Sequence, residues 1–382
     1  MSQKNINALA EYFALGCKNE NFLGLELEHF VVDTNGYSVS YNGGVAELLT
    51  KLAKTYGTPV FSTANGFDQQ IIGIKREKAE ITIEPAAQLE ISIGPCLKTA
   101  EIYNIYNEFT ATITPILTEM GFSLVCANYH PKSKVDDLPL IPKNRYNLMY
   151  NHFATVGTCG KHMMKGSAAT QLTIDYKNEN DFVQKFRIAN VLGPLLAFLF
   201  DTTTTFEGEP SFTKMLRTHI WNNVDPARSM VAKNALNIPR FGFHEYAEYV
   251  YNTPPIFIIA DGTEVYTGNK TAAEIFADKT MSTEDILHVI SMVFPDVRLK
   301  TNIEIRMVDS LPIATAIKYA KLIKNIFYNE PKLAELHSLT AKVTNADVAA
   351  AKANLMQHGT AAEVYGKPAK YWLNEFLGGT KP

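Results

Sequence analysis

A chain of 382 residues, 46% of them apolar, is long enough to bury a large core and, by length alone, to form two or three domains. Its formal net charge of −3 and pI near 6.3 come without a basic stripe or lysine–arginine run, which argues against nucleic acid or an anionic membrane as the main partner. The opening MSQKNINALAEYFALGCKNENF lacks the long apolar core of a signal peptide. The longest apolar run, VLGPLLAFLF at 191–200, is half a membrane span. Cys17, Cys96, Cys126 and Cys159 are widely spaced with no CxxC pair, so the expectation is a globular cytoplasmic protein with reduced thiols.

Along the chain, helical periodicity marks 3–16, strand alternation 23–33, and a helix 43–57 whose NGG at 42–44 reads as a turn rather than a phosphate loop. Strands follow at 70–74, 80–84 and 87–94, then a helix at 98–121 and strands at 122–130 and 167–176. A helix at 179–200, a strand at 256–260, helices at 269–277 and 282–293 and a strand at 300–308 lead to helices at 312–328, 345–357 and 367–377. There is no strict βαβ rhythm, no GxGxxG and no GxxxxGK[ST], which disfavours Rossmann and P-loop enzymes. The pattern fits an α+β fold on an antiparallel sheet, treated as one catalytic domain over 1–382 with a helical part from 312 to 382.

Read face by face, four strands share one kind of polar surface. In LGLELEHFV the glutamates Glu26 and Glu28 oppose Leu25, Leu27 and Val31. Gln88, Glu90 and Ser92 share a face in the fourth strand, with Glu84 at an even offset before it. Gln171, Thr173 and Asp175 oppose Leu172 and Ile174, and Glu304 and Arg306 oppose Ile303 and Ile305. A single such face reads equally as a solvent-washed sheet. Together, faces carrying mainly Glu and Gln call for a compensating cation, and hard oxygen donors suit Mg²⁺ or Mn²⁺. An arginine beside a carboxylate adds a fork for phosphate oxygens, so the set describes a magnesium-nucleotide phosphoryl-transfer site.

Other stretches stay open between function and packing. KMLRTHIWNNVDPARS (214–229) offers Arg217, Trp221 and Arg228 for a small carboxylate substrate, or a surface loop with a tryptophan anchor. Arg298 and Lys300 precede the Glu304 strand within reach of phosphates, or are ordinary exposed bases, and Lys143 and Arg145 in IPKNRYNLM are equally ambiguous. His29, on the apolar face of the first strand, reads as a packed core histidine, and Cys159 has no evident activating partner.

With these residues in view, the chain resembles the plant and proteobacterial type of glutamate–cysteine ligase from about residue 20 to 340. The resemblance rests on ordered motifs: GLELEHF, IIGIKREKAEITIEPAAQLEIS, LPLIPKNRYNLM, HMMKGSAATQLTIDY, RTHIWNNVDPARS and FPDVRLKTNIEIRMVD. It implies a glutamine synthetase-like fold, a curved antiparallel sheet forming a funnel with helices on its outer face, ATP entering at one end and the amino acid at the other. It implies Glu26, Glu28, Glu84, Glu90 and Glu304 as Mg²⁺ ligands with Gln171 as a further polar ligand, and Glu304 with Arg306 as the catalytic pair. Arg298, Lys300 and Arg306 would meet the nucleotide phosphates, and Arg217, Trp221, Arg228, Arg145 and Lys165 would hold substrate. The implied activity is ATP-dependent formation of γ-glutamylcysteine from glutamate and cysteine by a monomer or homodimer.

Two departures bear on this. Where the family carries an arginine after HMM, this chain has Gly166, with Lys165 as the neighbouring cation, so the acceptor amine stays open. The family's glycine turn is replaced by Ala86-Ala87. The alternatives are the same chemistry with another amine or amino acid, and a nucleotide- or metal-binding homologue without turnover. No redox switch is expected from the cysteines.

Overall fold

The structure, a computed structural model, describes residues 1–62 and 69–378. Nine strands form one antiparallel sheet: β1 (Leu23–Asp33), β2 (Thr58–Phe61), β3 (Ile71–Arg76), β4 (Ala79–Ile83), β5 (Leu89–Cys96), β6 (Phe122–Val125), β7 (Ala169–Ile174), β8 (Val297–Leu299) and β9 (Ile303–Asp309). Their order across the sheet is β8-β9-β7-β1-β5-β4-β3-β2, and β6 pairs with the far half of β1. Short hairpins at Thr205–Phe206/Glu209–Pro210, Phe257–Ala260/Thr263–Tyr266 and Glu363–Val364/Lys367–Pro368 stand apart from it.

Thirteen helices are described: α1 (Ser2–Ala14), α2 (Ala46–Tyr56), α3 (Thr99–Met120), α4 (Asn144–Val156), α5 (Glu179–Leu199), α6 (Leu216–Asn222), α7 (Phe243–Tyr251), α8 (Ala272–Ile275), α9 (Thr283–Ser291), α10 (Ile313–Phe327), α11 (Glu330–Leu339), α12 (Asn345–His358) and α13 (Ala369–Phe376). Helix α3 packs on β1, β5 and β6, α10 on β1 and β7, and α5 on β9. The apolar sheet face beneath them (Leu25, Leu27, Ile81, Leu89, Ile91, Leu172, Ile305) is solvent-free. The largest apolar cluster takes in side chains from Ile6 to Leu377. Helix α5 is long and apolar enough to cross a membrane, yet 89% of its most apolar window is buried in the core.

Register carries the polar residues to one place. Glu26 lies opposite Ser92 of β5 and Gln171 of β7, Glu28 opposite Glu90, and Glu90 opposite Thr82 of β4. Because strand side chains alternate, all share the face away from the helical layer. Between Ile305 and Val308 the β9–β7 register slips, and Arg306 sits in this irregular stretch, where a bulge re-aims side chains. The Glu84–Gln88 hairpin turn closes with Ala87 in the left-handed region (φ 66°), a place a glycine would take without strain.

Most expected elements are present within a few residues, with exceptions. The strand expected at 122–130 stops at Val125, and the one expected at 300–308 starts at Ile303 as the second arm of a hairpin with β8. Helices α4, α6, α7 and α11 and strand β2 were not expected. The surface-loop alternative for 214–229 is corrected: α6 buries Leu216, Arg217, Thr218 and Ile220. His29 is a core histidine, its Nε2 2.9 Å from the Tyr106 hydroxyl and its Nδ1 3.3 Å from the Leu89 carbonyl. Burial holds its pKa down at about 4.

Two stability predictions follow from this core. Leu27→Ala in the central strand should cost about 3 kcal/mol in denaturant unfolding, and a loss well under 1 kcal/mol would contradict the packing. For His29 the unfolded chain takes up the proton first, so its contribution is full above about pH 6.5 and lost as pH falls through about 4. The stability cost of His29→Gln should therefore shrink between pH 7 and pH 4.5. A constant or growing cost would contradict a neutral buried imidazole.

Candidate active site

A cavity of about 410 Å³ opens on the polar sheet face, and Glu26, Glu28, Glu84 and Glu90 all line it. Glu28 is fixed: its carboxylate accepts from the Ala169 backbone N–H at 2.9 Å and the Gln171 amide at 3.0 Å. Glu90 accepts from Thr82 Oγ1 at 3.0 Å and Ser92 Oγ at 3.1 Å. Among the described residues no hydrogen bond reaches the Glu26 or Glu84 carboxylate. Burial, with repulsion from Glu90 and Glu304, pushes Glu26 up to about 8. Burial raises Glu28 to about 8 against the pull of Arg217, and burial with Glu84 raises Glu90 to about 7. Glu84 is raised by burial despite Lys143 and Arg145. Four carboxylates are thus gathered where each resists ionisation, the electrostatic condition that a cation relieves.

Beside them stands the opposite arrangement. Glu304 is fully buried, with Arg298 Nε at 2.6 Å, Arg306 Nη1 at 2.8 Å and Lys300 Nζ at 2.9 Å. Burial opposes its ionisation, but the three cations outweigh it and hold Glu304 well below the usual carboxylate range. Arg306 also donates to the Gln171 Oε1 at 2.7 Å, and Gln171 passes the link on to Glu28. Two guanidiniums lie over the Trp221 ring, Arg217 at 5.4 Å and Arg306 at 5.7 Å from its centroid. Three buried donors around this cavity, Arg145 Nε, Arg217 Nε and Trp221 Nε1, have no hydrogen-bond partner among the described residues, a condition a bound anion would repair.

The structure therefore brings together Glu26, Glu28, Glu84, Glu90, Gln171, Arg145, Arg217, Trp221, Arg298, Lys300 and Arg306 in one cavity. Glu304, expected as a Mg²⁺ ligand and catalytic residue, does not line the cavity; it lies against it through its three cations, both oxygens engaged, as the counter-charge that positions them. Two further expectations are corrected. Arg228 does not line the cavity; it is 1% exposed and spends its guanidinium on Asp225, Pro254 and Met292. Lys165 turns the other way, its ammonium donating to the Leu138 carbonyl at 2.8 Å. Gly166 has a steric reason: a Cβ there would sit 2.5 Å from the Tyr129 ring.

The sequence reading left Thr82, Met149, Met163, Met164 and Ser167 out of the site and Lys143 open, and all line it. Thr82 had a signal, an even offset from Glu84 on its strand. The methionines had none, because they arrive from α4 and a tight helical turn at 162–166. Gln88, expected on the polar face, lines the cavity there and ties that turn down through the Met164, Lys165 and Ser167 carbonyls, each at 3.3 Å. A second cavity of about 480 Å³ shares Glu26 and continues along the same face, floored by Gly24 and Gly94.

The donor set fits a hard divalent cation in kind, being all oxygen and anionic. Among the described residues no three acidic, histidine or cysteine side chains converge as a formed metal cluster, so ligation asks the glutamates to adjust rotamers.

The sequence profile of Glutamate-cysteine ligase family 2 (GCS2) matches residues 22–376. The chloroplastic glutamate–cysteine ligases of Brassica juncea and Arabidopsis thaliana are each 28% identical over 348 residues, 89% of this chain. The chain spans 67% and 66% of their lengths, about two thirds. The crystal structure of glutamate–cysteine ligase from Francisella tularensis in complex with AMP superposes with TM-score 0.52 at 11% identity, covering 91% of this chain and 72% of that one, a likeness of fold. With the family profile matched over nearly its whole length, the chain belongs to glutamate–cysteine ligase family 2.

Proposed function

We propose that this protein is an ATP-dependent ligase that joins the γ-carboxylate of glutamate to an amine, with cysteine as the acceptor and γ-glutamylcysteine as the product. The observation that carries it is one cavity lined by four carboxylates that each resist ionisation, beside three cations on a single buried glutamate. Support comes from the family and from relatives bearing that name. A carboxylate is a poor acyl donor, so its oxygen first attacks the γ-phosphorus of ATP, and ADP leaves. The amine then attacks the acyl phosphate carbon through a tetrahedral intermediate, loses a proton, and expels phosphate. No protein nucleophile is required, consistent with four free cysteines, none lining the cavity.

The chain's own residues divide the work. Lys300 and Arg306, held by Glu304, face the transferring phosphoryl group and steady its charge. Arg217 and Arg145, with unpartnered donors and Trp221 alongside, orient the amino-acid carboxylates. Glu26, Glu28, Glu84 and Glu90 are the residues that would hold Mg²⁺, or Mn²⁺ in its place, which when bound neutralises triphosphate charge. The second cavity beyond Glu26 leaves room for the nucleoside. The compartment we assign is the cytoplasm.

A second reading has its own observation. Lys165 points away and Tyr129 occupies the space above Gly166, so this segment presents no cation to an acceptor carboxylate. An amine other than cysteine is the alternative acceptor.

ADP release measured with Mg-ATP and glutamate over a panel of amines decides between them. Cysteine-dependent release supports the first reading, release only with another amine the second, and nucleotide binding without release from any pair overturns both. Glu26→Gln or Glu28→Gln should lower kcat by a hundredfold or more with the fold retained by circular dichroism. Near-normal turnover would refute their role. Glu26, Glu28 and Glu90 carry raised pKa values of about 8, 8 and 7, so without metal the folded state binds extra protons and their ionisation lowers stability as pH rises through these values. Mg²⁺ needs the ionised forms, so its stabilisation in a thermal melt should be larger at pH 8 than at pH 6. Equal shifts at both would contradict the assignment.

A further inference from the structure

Arg228, freed from the role of substrate contact, sits at the junction of two cavity walls. Its Nε donates to Asp225 Oδ2 at 2.6 Å, and Asp225 Oδ2 accepts from His152 Nε2 at 3.1 Å. His152 is on α4, the helix whose first turns carry Arg145, Tyr146 and Met149 into the cavity. The same guanidinium donates through Nη1 to the Pro254 carbonyl at 2.6 Å and the Met292 carbonyl at 3.0 Å. Its own backbone carbonyl accepts from Phe294 N–H at 2.8 Å, and Phe294 lines the opposite wall. His152, Asp225 and Arg228 are 2%, 3% and 1% exposed, so the network is shielded from water on every side. Burial opposes ionisation of Asp225, yet the His152 hydrogen bond and Arg228 hold its carboxyl below the usual range.

We propose that Arg228, with Asp225 and His152, is a positioning device that fixes the distance between α4 and the 291–294 wall and so sets the width of the amino-acid end of the cavity. A fork with two separately engaged nitrogens making three bonds is what the job requires. A lysine keeps the charge beside Asp225 but cannot bridge both carbonyls and the carboxylate. The shielded setting makes each lost link costly, because a stranded buried carbonyl or carboxylate has no water to turn to.

The test is hydrogen–deuterium exchange on the full chain, comparing wild type with Arg228→Lys and with His152→Gln. In Arg228→Lys, peptides spanning 143–151 and 290–296 should exchange on the order of tenfold faster, the loss of about one charged hydrogen bond, while α5 peptides are unchanged. In His152→Gln only the 143–151 peptide should loosen, because the Met292 link survives. Uniform acceleration that includes α5, or no local change in either variant, overturns the proposal. The kinetic arm rests on the ligase reading: Arg228→Lys should raise KM for the amino-acid substrate on the order of tenfold with KM for ATP unchanged. A fall in kcat alone would overturn the positioning role. If the wild type turns over no substrate, the exchange result still decides, so failure of the ligase reading is separate from failure of this one.

Discussion

The repulsion between carboxylates gathered on one sheet face organises this molecule. Glu26 and Glu28 stand two apart on the central strand, and pairing brings Glu90 directly opposite Glu28. In an ordinary sheet such a row would be selected against, since like charges facing one another cost stability. Here the apolar face under the helices supplies the stability, and the polar face is left to hold an arrangement that favours a bound cation. The four carboxylates resist ionisation while Glu304, a short distance across the sheet, is ionised by three cations. One cavity therefore has a side short of positive charge and a side with more than its own anion needs, the pattern that the proposed magnesium and polyphosphate would complete together.

That polarity is built by β-sheet register. Gln171 links the two sides, accepting from Arg306 and donating to Glu28, so a slip of β7 by one residue would break the link and turn Gln171 into the core. The irregular pairing after Ile305 is where Arg306 is aimed. Walls of a different origin, α4, α6 and the 291–294 segment, close over this floor and bring the arginines and Trp221 that would read an amino acid. The floor belongs to the sheet; the walls are joined by Arg228.

Much of the floor could be read in the sequence because period-2 alternation reports which residues share a face, and the glutamates repeat at even offsets on successive strands. The walls could not. Helix α4 reads NRYNLMYNHFATV, polar and aromatic with weak amphipathic contrast, since it turns polar and aromatic residues to the cavity and buries a polar one of its own, His152. Spacing alone could not tell which way Arg228 and Lys165 point. Both were expected in the cavity, and both are consumed by backbone carbonyls that loops bring from distant positions, Pro254, Met292 and Leu138. The Ala86-Ala87 turn forms without a glycine, at the cost of a left-handed alanine.

The central claim is that the carboxylate is activated by phosphoryl transfer on this face, and oxygen tracing tests it directly. Glutamate labelled with ¹⁸O in its γ-carboxylate should deliver one labelled oxygen to the phosphate released for each amide formed. Amide formation with unlabelled phosphate would contradict an acyl phosphate, and with it the role assigned here to the cation-bearing half of the cavity.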